Sequence, residues 1–223
     1  VCHIVEHCVL SGSRKFKTKE PFMDLIKSSL QTFLNAMTFP DKTIYPVSSR
    51  NEKDFYNLMD VYLDAVFHPA IYEEEKIFLQ EGWHYELKDK DDDLKYNGVV
   101  YNEMKGVYSS SENIVSDAMV FALHEDSSYG VDSGGDPKLI PSLSYQEFKD
   151  YHKKYYHPSN SYIYLYGNQN MEEALDFIDK NYLQDFDKAE INSEIILNDE
   201  IKETKDVEIT FSASKEEMKD KID

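Results

Sequence analysis

The chain has 223 residues, of which 41% are hydrophobic and 13% aromatic, enough for a folded core and too many for a disordered protein. Its formal net charge of -19 disfavours nucleic acid as a partner, because phosphate binding needs a basic surface. No apolar run of the sequence is long enough to span a bilayer. An acidic protein attracts basic ligands such as positively charged peptides, although solubility is the simpler explanation of the charge.

The first ten residues, VCHIVEHCVL, predict a helix that ends before Gly12. His3 and His7 are four residues apart and share a face, and Glu6 lies within about 100° of both. The other residues of this stretch are apolar, so we expect a buried helix whose two imidazoles and carboxylate need partners. Two histidines at this spacing can bind one metal ion, with room for a third ligand and a water. Histidines satisfied by backbone carbonyls are the alternative.

Hydrophobic periodicity predicts six further helices and five strands. The predicted helices are 21–30, 51–67, one after Pro69, 98–125, 144–155 with Ser144 and Glu147 as a capping box, and 171–184. The predicted strands are 31–39, 42–49, 82–88, 161–168 and 206–213, with an acidic turn at 89–97 and a Gly/Pro/Ser-rich loop at 127–144. This mixture of helices and hairpin-like strands predicts the α+β class.

We expect residues 1–188 to form one domain, and residues 189–223 to be an acidic tail or the start of the next domain. A ligand-bearing helix at residue 1 indicates a fragment whose upstream part, with any targeting segment, is missing. Cys2 and Cys8 point about 240° apart on the first helix and cannot pair, so we expect two free thiols.

A candidate third ligand lies in the helix that begins at Gly98. There Val99, Glu103 and Val107 occupy one stripe at i, i+4 and i+8. A carboxylate between two valines needs a partner, which makes Glu103 a candidate metal ligand. An ion pair with an arginine or lysine is the alternative.

The spacing HxxEH, from His3 to His7, is the inverted form of the zinc-peptidase helix, in which the glutamate takes a proton from water.

Seven segments, in order along the chain, resemble the inverzincin metallopeptidases of the insulinase and pitrilysin type. They are HIVEHCVLSGSRKF, FLNAMTFPDKTIYPV, DFYNLMDVYLDAVFHP, EGWHYEL, GVVYNEMKGVYSS, SGGDP and YYHPSNSYIYLYGN, and the branch they resemble is that of the presequence proteases. The resemblance implies a zinc endopeptidase that cleaves short unfolded peptides, such as cleaved targeting peptides, in an enclosed chamber. It implies an α+β domain with a mixed, largely antiparallel sheet layered with helices, which forms one half of a clamshell that a second half closes.

The resemblance also implies roles for individual residues. His3, His7 and Glu103 match the zinc ligands of the family, and Glu6 matches its general base. Asn35 and Ala36, on the edge strand FLNAMT, match the positions that pair with the substrate backbone, in agreement with the binding of extended peptides at exposed strand edges. Insulysin-type members carry an acidic residue seven positions before the third ligand, where this chain has Tyr96.

A non-catalytic relative, which binds peptides or acts as a scaffold, is the alternative to the enzyme. Relatives of that kind typically lose a ligand or the base, whereas all four residues are present in this chain. We expect the isolated fragment to be weakly active or inactive, because the second half supplies groups that anchor the scissile carbonyl. The resemblance suggests a mitochondrion or a related organelle as the location.

Overall fold

A computed structural model describes residues 1–18, 21–201 and 203–210. The helices among these residues are α1 (Cys2–Val9), α2 (Pro21–Ser28), α3 (Glu52–Phe67), α4 (Glu75–Glu81), α5 (Val99–Val107), α6 (Ser111–His124), α7 (Tyr145–Tyr155) and α8 (Met171–Asn181). The strands are β1 (Gln31–Leu34), β2 (Met37–Thr38), β3 (Thr43–Ile44), β4 (Val47–Ser49), β5 (His84–Glu86) and β6 (Lys95–Asn97). They form three two-stranded antiparallel sheets, β1 with β4, β2 with β3 and β5 with β6. The predicted α+β class is confirmed.

Helix α1 lies at the centre of the hydrophobic core. Its four buried apolar side chains are Ile4, Val5, Cys8 and Val9, each at most 1% exposed. They share a cluster with buried residues of three other helices, among them Phe78 of α4, Val100 of α5 and Phe148 of α7. This packing fixes the orientation of α1, and with it the positions of the histidines on its opposite side.

The region 31–49 forms the predicted hairpin, but as two small sheets instead of one. Strand β2 pairs with β3, so that Met37 lies opposite Ile44. Pro46 separates β3 from β4 because it has no amide hydrogen to donate to a ladder. Its carbonyl still accepts a hydrogen bond from the amide of Asn35 at 3.1 Å, which keeps the two segments side by side.

One predicted helix start is confirmed, and one predicted helix is divided in two. Ser144 and Glu147 form the predicted capping box at the start of α7. The single predicted helix 98–125 is wrong, because α5 ends at Val107 and α6 begins at Ser111. Ser110 causes the break, since its side chain accepts a hydrogen bond from the amide of Asn113 and starts a new helix.

Three other local predictions need correction. The acidic turn predicted at 89–97 is shorter, because Lys95–Asn97 form β6 and Tyr96 lies opposite Tyr85. The last helix, predicted over 171–184, ends at Asn181 and is followed by a 3-10 turn, Leu183–Asp185. The strand predicted at 206–213 is not formed over 206–210, and 211–213 lie outside the described residues.

The strand predicted at 161–168 is also absent. Its residues are not part of any sheet in the described part of the chain, although the side chains of Tyr162, Tyr164 and Tyr166 alternate along it and are at least 84% exposed. A strand needs a neighbour for its backbone hydrogen bonds, and no described strand pairs with this segment.

Two further expectations concern the cysteines and the membrane. Cys2 and Cys8 are both free, as their angular separation on α1 predicts. None of the described helices is both long enough and apolar enough to cross a bilayer. The division into 1–188 and 189–223 stays a prediction.

Candidate metal centre

Helices α1 and α5 bring together three side chains that can bind a metal. One ligand atom from each of His3, His7 and Glu103 lies within 4.8 Å of the others. The Nε2 atoms of His3 and His7 are each 3.7 Å from a carboxylate oxygen of Glu103, and the two oxygens are different. A tetrahedral zinc ion with bonds of about 2.0–2.1 Å holds its ligand atoms about 3.4 Å apart, and the two distances of 3.7 Å between the histidines and Glu103 are close to this spacing. Two imidazoles and one carboxylate also leave a fourth position open for water.

The exposure of these ligands differs from the expectation. The buried residues of α5 are Val100 and Met104, so the stripe that contains Glu103 is not the buried face that we predicted. The side chain of Glu103 is 48% exposed, whereas those of His3 and His7 are 12% and 25% exposed. The cluster is therefore open to solvent on the Glu103 side, and burial is not the reason that Glu103 needs a partner.

The Nδ1 atom of each imidazole, on the side of the ring away from Glu103, has a hydrogen-bond partner. Nδ1 of His3 lies 3.0 Å from the carbonyl oxygen of Gly134, and Nδ1 of His7 lies 3.3 Å from Oε2 of Glu81. Both partners are acceptors, so each imidazole donates through Nδ1. This tautomer leaves the lone pair of each Nε2 atom on the side of Glu103, as a metal ligand requires.

Sequence reasoning missed Glu81 and Gly134. Glu81 is 9% exposed and lies three residues after the buried Phe78, on the same face of α4. An acidic residue on an apolar helix face is the signal in the sequence that could have found Glu81. Gly134 acts through its carbonyl group, which leaves no trace in the residue type. A carboxylate thus lies beside the histidines, although Tyr96 occupies the position seven residues before Glu103.

The electrostatics of the cluster favour a cation. Burial lowers the pKa of His7, but the hydrogen bond to Glu81 and the charges of Glu81, Glu6 and Glu103 outweigh it and raise the pKa above its ordinary value. Three carboxylates therefore surround this imidazole. The same negative surroundings would stabilise a divalent ion between the ligands.

Glu6 is buried beside the cluster, on the same helix as the two histidines. Its residue is 7% exposed, and its Oε2 accepts a hydrogen bond of 2.5 Å from the hydroxyl of Thr38 on β2. No other hydrogen bond to Glu6 is formed among the described residues, so Oε1 is available. Sequence reasoning missed Thr38, even though it ends the segment FLNAMT.

Asn35 and Ala36 lie just before β2. Asn35 is exposed and Ala36 half-buried, and the amide of Ala36 donates to Oδ1 of Asn35 at 3.0 Å. The amides of Asn35 and Phe39 point toward the β3–β4 side, where they donate to Pro46 and Lys42. By alternation, the backbone groups of Ala36 and Thr38 point to the opposite edge, which no described strand covers.

Four of the five remaining histidines have hydrogen-bond partners of their own, and Nε2 of His68 lies 3.6 Å from Asp185 without forming a hydrogen bond among the described residues. The five are His68 near Asp185, His84 bonded to Leu79, His124 to Asn198, His152 to Tyr72 and Val66, and His157 to the amide of Ser159. Among the described residues, Glu103 forms no ion pair with an arginine or lysine, so its alternative explanation finds no support there.

A family model described as Insulinase (Peptidase family M16) matches residues 1–119, more than half of the chain. The chain belongs to the insulinase family of peptidases. This confirms the predicted membership, and the match contains His3, Glu6, His7 and Glu103. A second family model, described as Peptidase M16 inactive domain, matches residues 142–220.

Relatives support a position of this insulinase-family chain near the presequence proteases. Protein HypA of Clostridium perfringens is 58% identical over 97% of this chain, and Presequence protease 1, chloroplastic/mitochondrial, of Arabidopsis thaliana is 56% identical over 84%. These matches cover 22% and 17% of the relatives, so the chain spans about a fifth of their length.

A solved structure has a similar fold. It is the first half of the periplasmic protease PqqL from Escherichia coli, with a TM-score of 0.56 at 13% sequence identity. The match covers 91% of this chain and 39% of that one. At this identity the similarity concerns the fold alone, and it is consistent with the predicted half of a clamshell.

Proposed function

We propose that this chain carries the catalytic zinc site of an endopeptidase. The observation that supports this most is the cluster of His3, His7 and Glu103, whose ligand atoms lie within 4.8 Å of one another. The chain's membership of a peptidase family agrees with the same reaction class. His3, His7 and Glu103 would hold the ion, and Gly134 and Glu81 would orient the two imidazoles.

When bound, zinc lowers the pKa of a coordinated water and polarises the carbonyl of the scissile peptide bond. Glu6 takes one proton from the attacking water through Oε1, the oxygen that Thr38 leaves free, and then gives it to the departing amine nitrogen. One water is consumed and one amide bond is broken.

The substrate in this proposal is an extended peptide that adds to the free edge of β2. The amide of Ala36 donates to Asn35 and the carbonyl of Thr38 accepts from Ser133, so the outward carbonyl of Ala36 and the outward amide of Thr38 would pair with the peptide backbone. Such pairing does not depend on the side chains of the peptide. Thr38 lies at hydrogen-bond distance from Glu6, so a peptide on this edge would lie near the base. The net charge of -19 favours basic peptides, the chemistry of cleaved targeting sequences.

The complete protein would enclose its substrate between this unit and a second half. The fold of one half of PqqL resembles this chain, which supports a two-part arrangement. A chamber of this kind admits short unfolded peptides and excludes folded proteins. Several relatives are named as mitochondrial or chloroplastic enzymes, whereas Protein HypA belongs to a bacterium, so an organelle is the location only if the parent organism has one.

A non-catalytic role as a peptide-binding or scaffolding subunit is the second candidate. The observation that favours it is the match of residues 142–220 to the family's inactive domain. His3, Glu6, His7 and Glu103 all lie outside that match, in the part that matches the insulinase model. We therefore place the enzyme first.

The test is hydrolysis of a quenched fluorescent basic peptide by the complete protein that contains this chain. Glu6→Gln keeps the size of the side chain and removes the base, so we expect bound zinc to stay and turnover to fall about 10²- to 10⁴-fold. Glu172→Gln, an exposed change on α8, serves as the matched control and should leave turnover unchanged. Normal turnover in Glu6→Gln would refute the role of Glu6. Peptide binding with no turnover in the unmodified protein would favour the scaffold.

A further inference from the structure

The hydroxyl of Thr38 makes a short bond to the carboxylate that we propose as the base. Its Oγ1 is 2.5 Å from Oε2 of Glu6 and 3.3 Å from the hydroxyl of Thr43. A threonine hydroxyl has one proton to donate, and an ionised carboxylate can only accept. The proton therefore goes to the nearer, charged oxygen of Glu6, which makes this a charge-assisted hydrogen bond of the strong class.

This bond divides the two oxygens of Glu6 between two tasks. Oε2 is held by Thr38, and Oε1 has no hydrogen-bond partner among the described residues. A carboxylate without such a bond can rotate about its terminal torsion, which has a broad energy profile. Thr38 therefore restricts Glu6 to one orientation, in which Oε1 is the oxygen that remains for water.

Thr38 is also tied to the loop behind His3 through its backbone. Its carbonyl accepts a hydrogen bond from the hydroxyl of Ser133 at 3.4 Å, and the neighbouring Gly134 is the acceptor for Nδ1 of His3. The same residue thus contacts the base through its side chain and the loop of one histidine through its main chain. Its backbone amide lies on the outer edge of β2, which no described strand covers.

From these contacts we infer that Thr38 is a positioning residue, which fixes the orientation of Glu6 and couples it to the strand on which the peptide would lie. This inference rests on the proposed function. A peptide that adds to β2 would fix the backbone of Thr38. Because the hydroxyl of Thr38 bonds to Oε2, the orientation of the Glu6 carboxylate would then be fixed as well. Loss of the hydroxyl should therefore affect the chemical step more than peptide binding.

The competing explanation is that Thr38 only compensates a buried carboxylate. In that case its loss would lower the stability of the fold, and turnover would fall only in proportion to the unfolded fraction. A positioning role predicts a lower kcat that Thr38→Ser restores. A purely stabilising role predicts a lower midpoint of unfolding, with turnover that follows the folded fraction.

The experiment compares Thr38→Val, Thr38→Ser and the control Thr32→Val in the complete protein. Valine keeps the shape of threonine without the hydroxyl, serine keeps the hydroxyl, and Thr32 is an exposed threonine of β1 whose hydroxyl bonds to Ser48. Each variant is assayed for kcat and KM on the quenched peptide, for zinc content and for its thermal unfolding midpoint.

We expect Thr38→Val to lower kcat about 10- to 100-fold, with KM and zinc content unchanged, and Thr38→Ser to recover most of kcat. Thr32→Val should match the unmodified protein. A kcat within twofold of normal in Thr38→Val would overturn the inference. So would a loss that follows the unfolding midpoint and is not recovered by serine. If Thr38→Val does not fold, Thr38→Ala removes the same hydroxyl without added bulk and is judged by the same criteria.

Failure of this inference and failure of the proposed function give different patterns. If Glu6→Gln abolishes turnover while Thr38→Val leaves it intact, only the role of Thr38 is wrong. If Glu6→Gln also leaves turnover intact, Glu6 is not the base, and the proposed mechanism fails together with the inference.

Discussion

Two apolar segments of this chain have opposite surroundings. Helix α1 places four apolar side chains in the core, whereas the segment 161–166 leaves its three tyrosines at least 84% exposed. A helix forms its backbone hydrogen bonds within itself, so its apolar face only has to meet other side chains. A strand needs a neighbouring strand before its backbone is satisfied, and none pairs with 161–166 in the described residues. Local sequence therefore predicts a structure only where the partners are supplied.

The largest expected effect on the free energy of unfolding is in helix α1, the buried segment. Ile4 is 1% exposed between the two histidine-bearing turns, so Ile4→Ala should leave a cavity and lower the free energy of unfolding by about 2–5 kcal/mol. Urea unfolding followed by circular dichroism measures this change. A loss below about 0.5 kcal/mol would mean that α1 is not the centre of the core.

The buried side should also respond to pH through His152 of α7. The ordinary pKa of a histidine is 6.5, and burial lowers the pKa of His152 to about 4. The hydrogen bond with the carbonyl of Val66 raises this pKa, but by less than burial lowers it. Above pH 6.5 the group is neutral in both states and stability is full. As the pH falls toward 4, the unfolded chain takes up the proton first, so about 3 kcal/mol of stability is lost.

The measurement for His152 is urea unfolding at pH 7 and at pH 4.5, in the unmodified chain and in His152→Gln. Other groups titrate in this range, so only the difference between the two proteins is interpreted. The variant should lose less stability on acidification than the unmodified chain does. Equal losses would show that His152 does not titrate with a lowered pKa.

An effect of intermediate size, on zinc affinity, is expected from Glu81, the hydrogen-bond partner of the candidate ligand His7. Glu81→Ala removes the acceptor of His7 and should weaken zinc binding about 10- to 100-fold, and Glu81→Gln should weaken it less because an amide oxygen still accepts. Competition with a chelator of known affinity measures the dissociation constant. An unchanged constant in Glu81→Ala would mean that the contact does not orient the imidazole.

The smallest effect is expected in the exposed segment. Tyr164 is 84% exposed, so Tyr164→Ser should change the free energy of unfolding of this chain by no more than about 0.5 kcal/mol. The same urea titration as for Ile4→Ala checks it. A loss of 2 kcal/mol or more would show that 161–166 is packed in solution and would remove the contrast with α1.

Much of the fold followed from sequence because its signals are local. Caps such as Ser144 act on amides two or three residues away, and the periodicity of α3 lies within the helix itself. Strand pairing depends on distant residues, which is why β6 and the segment 161–168 were assigned wrongly. The sequence pattern does not predict the break between α5 and α6, because the cap residue Ser110 lies inside the single predicted helix 98–125.

The candidate site was predictable to a similar degree. The spacing of His3, Glu6 and His7 is a local pattern, and the structure brings Glu103 to it from 96 residues further along the chain. The predicted buried stripe is wrong, because Glu103 is 48% exposed, and the role of Glu103 as a ligand stays a prediction. Glu81 reaches the site from α4 and has a signal in the sequence, an acidic residue on an apolar helix face. Thr38 reaches the site from β2, and only the packing of β2 on α1 reveals it.

The most direct test of the central claim is the zinc content of the purified chain, measured by elemental analysis beside a His7→Ala variant. We expect about one zinc per chain in the unmodified protein and almost none in the variant, because two of the three ligands come from α1. Circular dichroism should show that both proteins are folded. No more zinc in the folded, zinc-supplemented chain than in the variant would contradict the site.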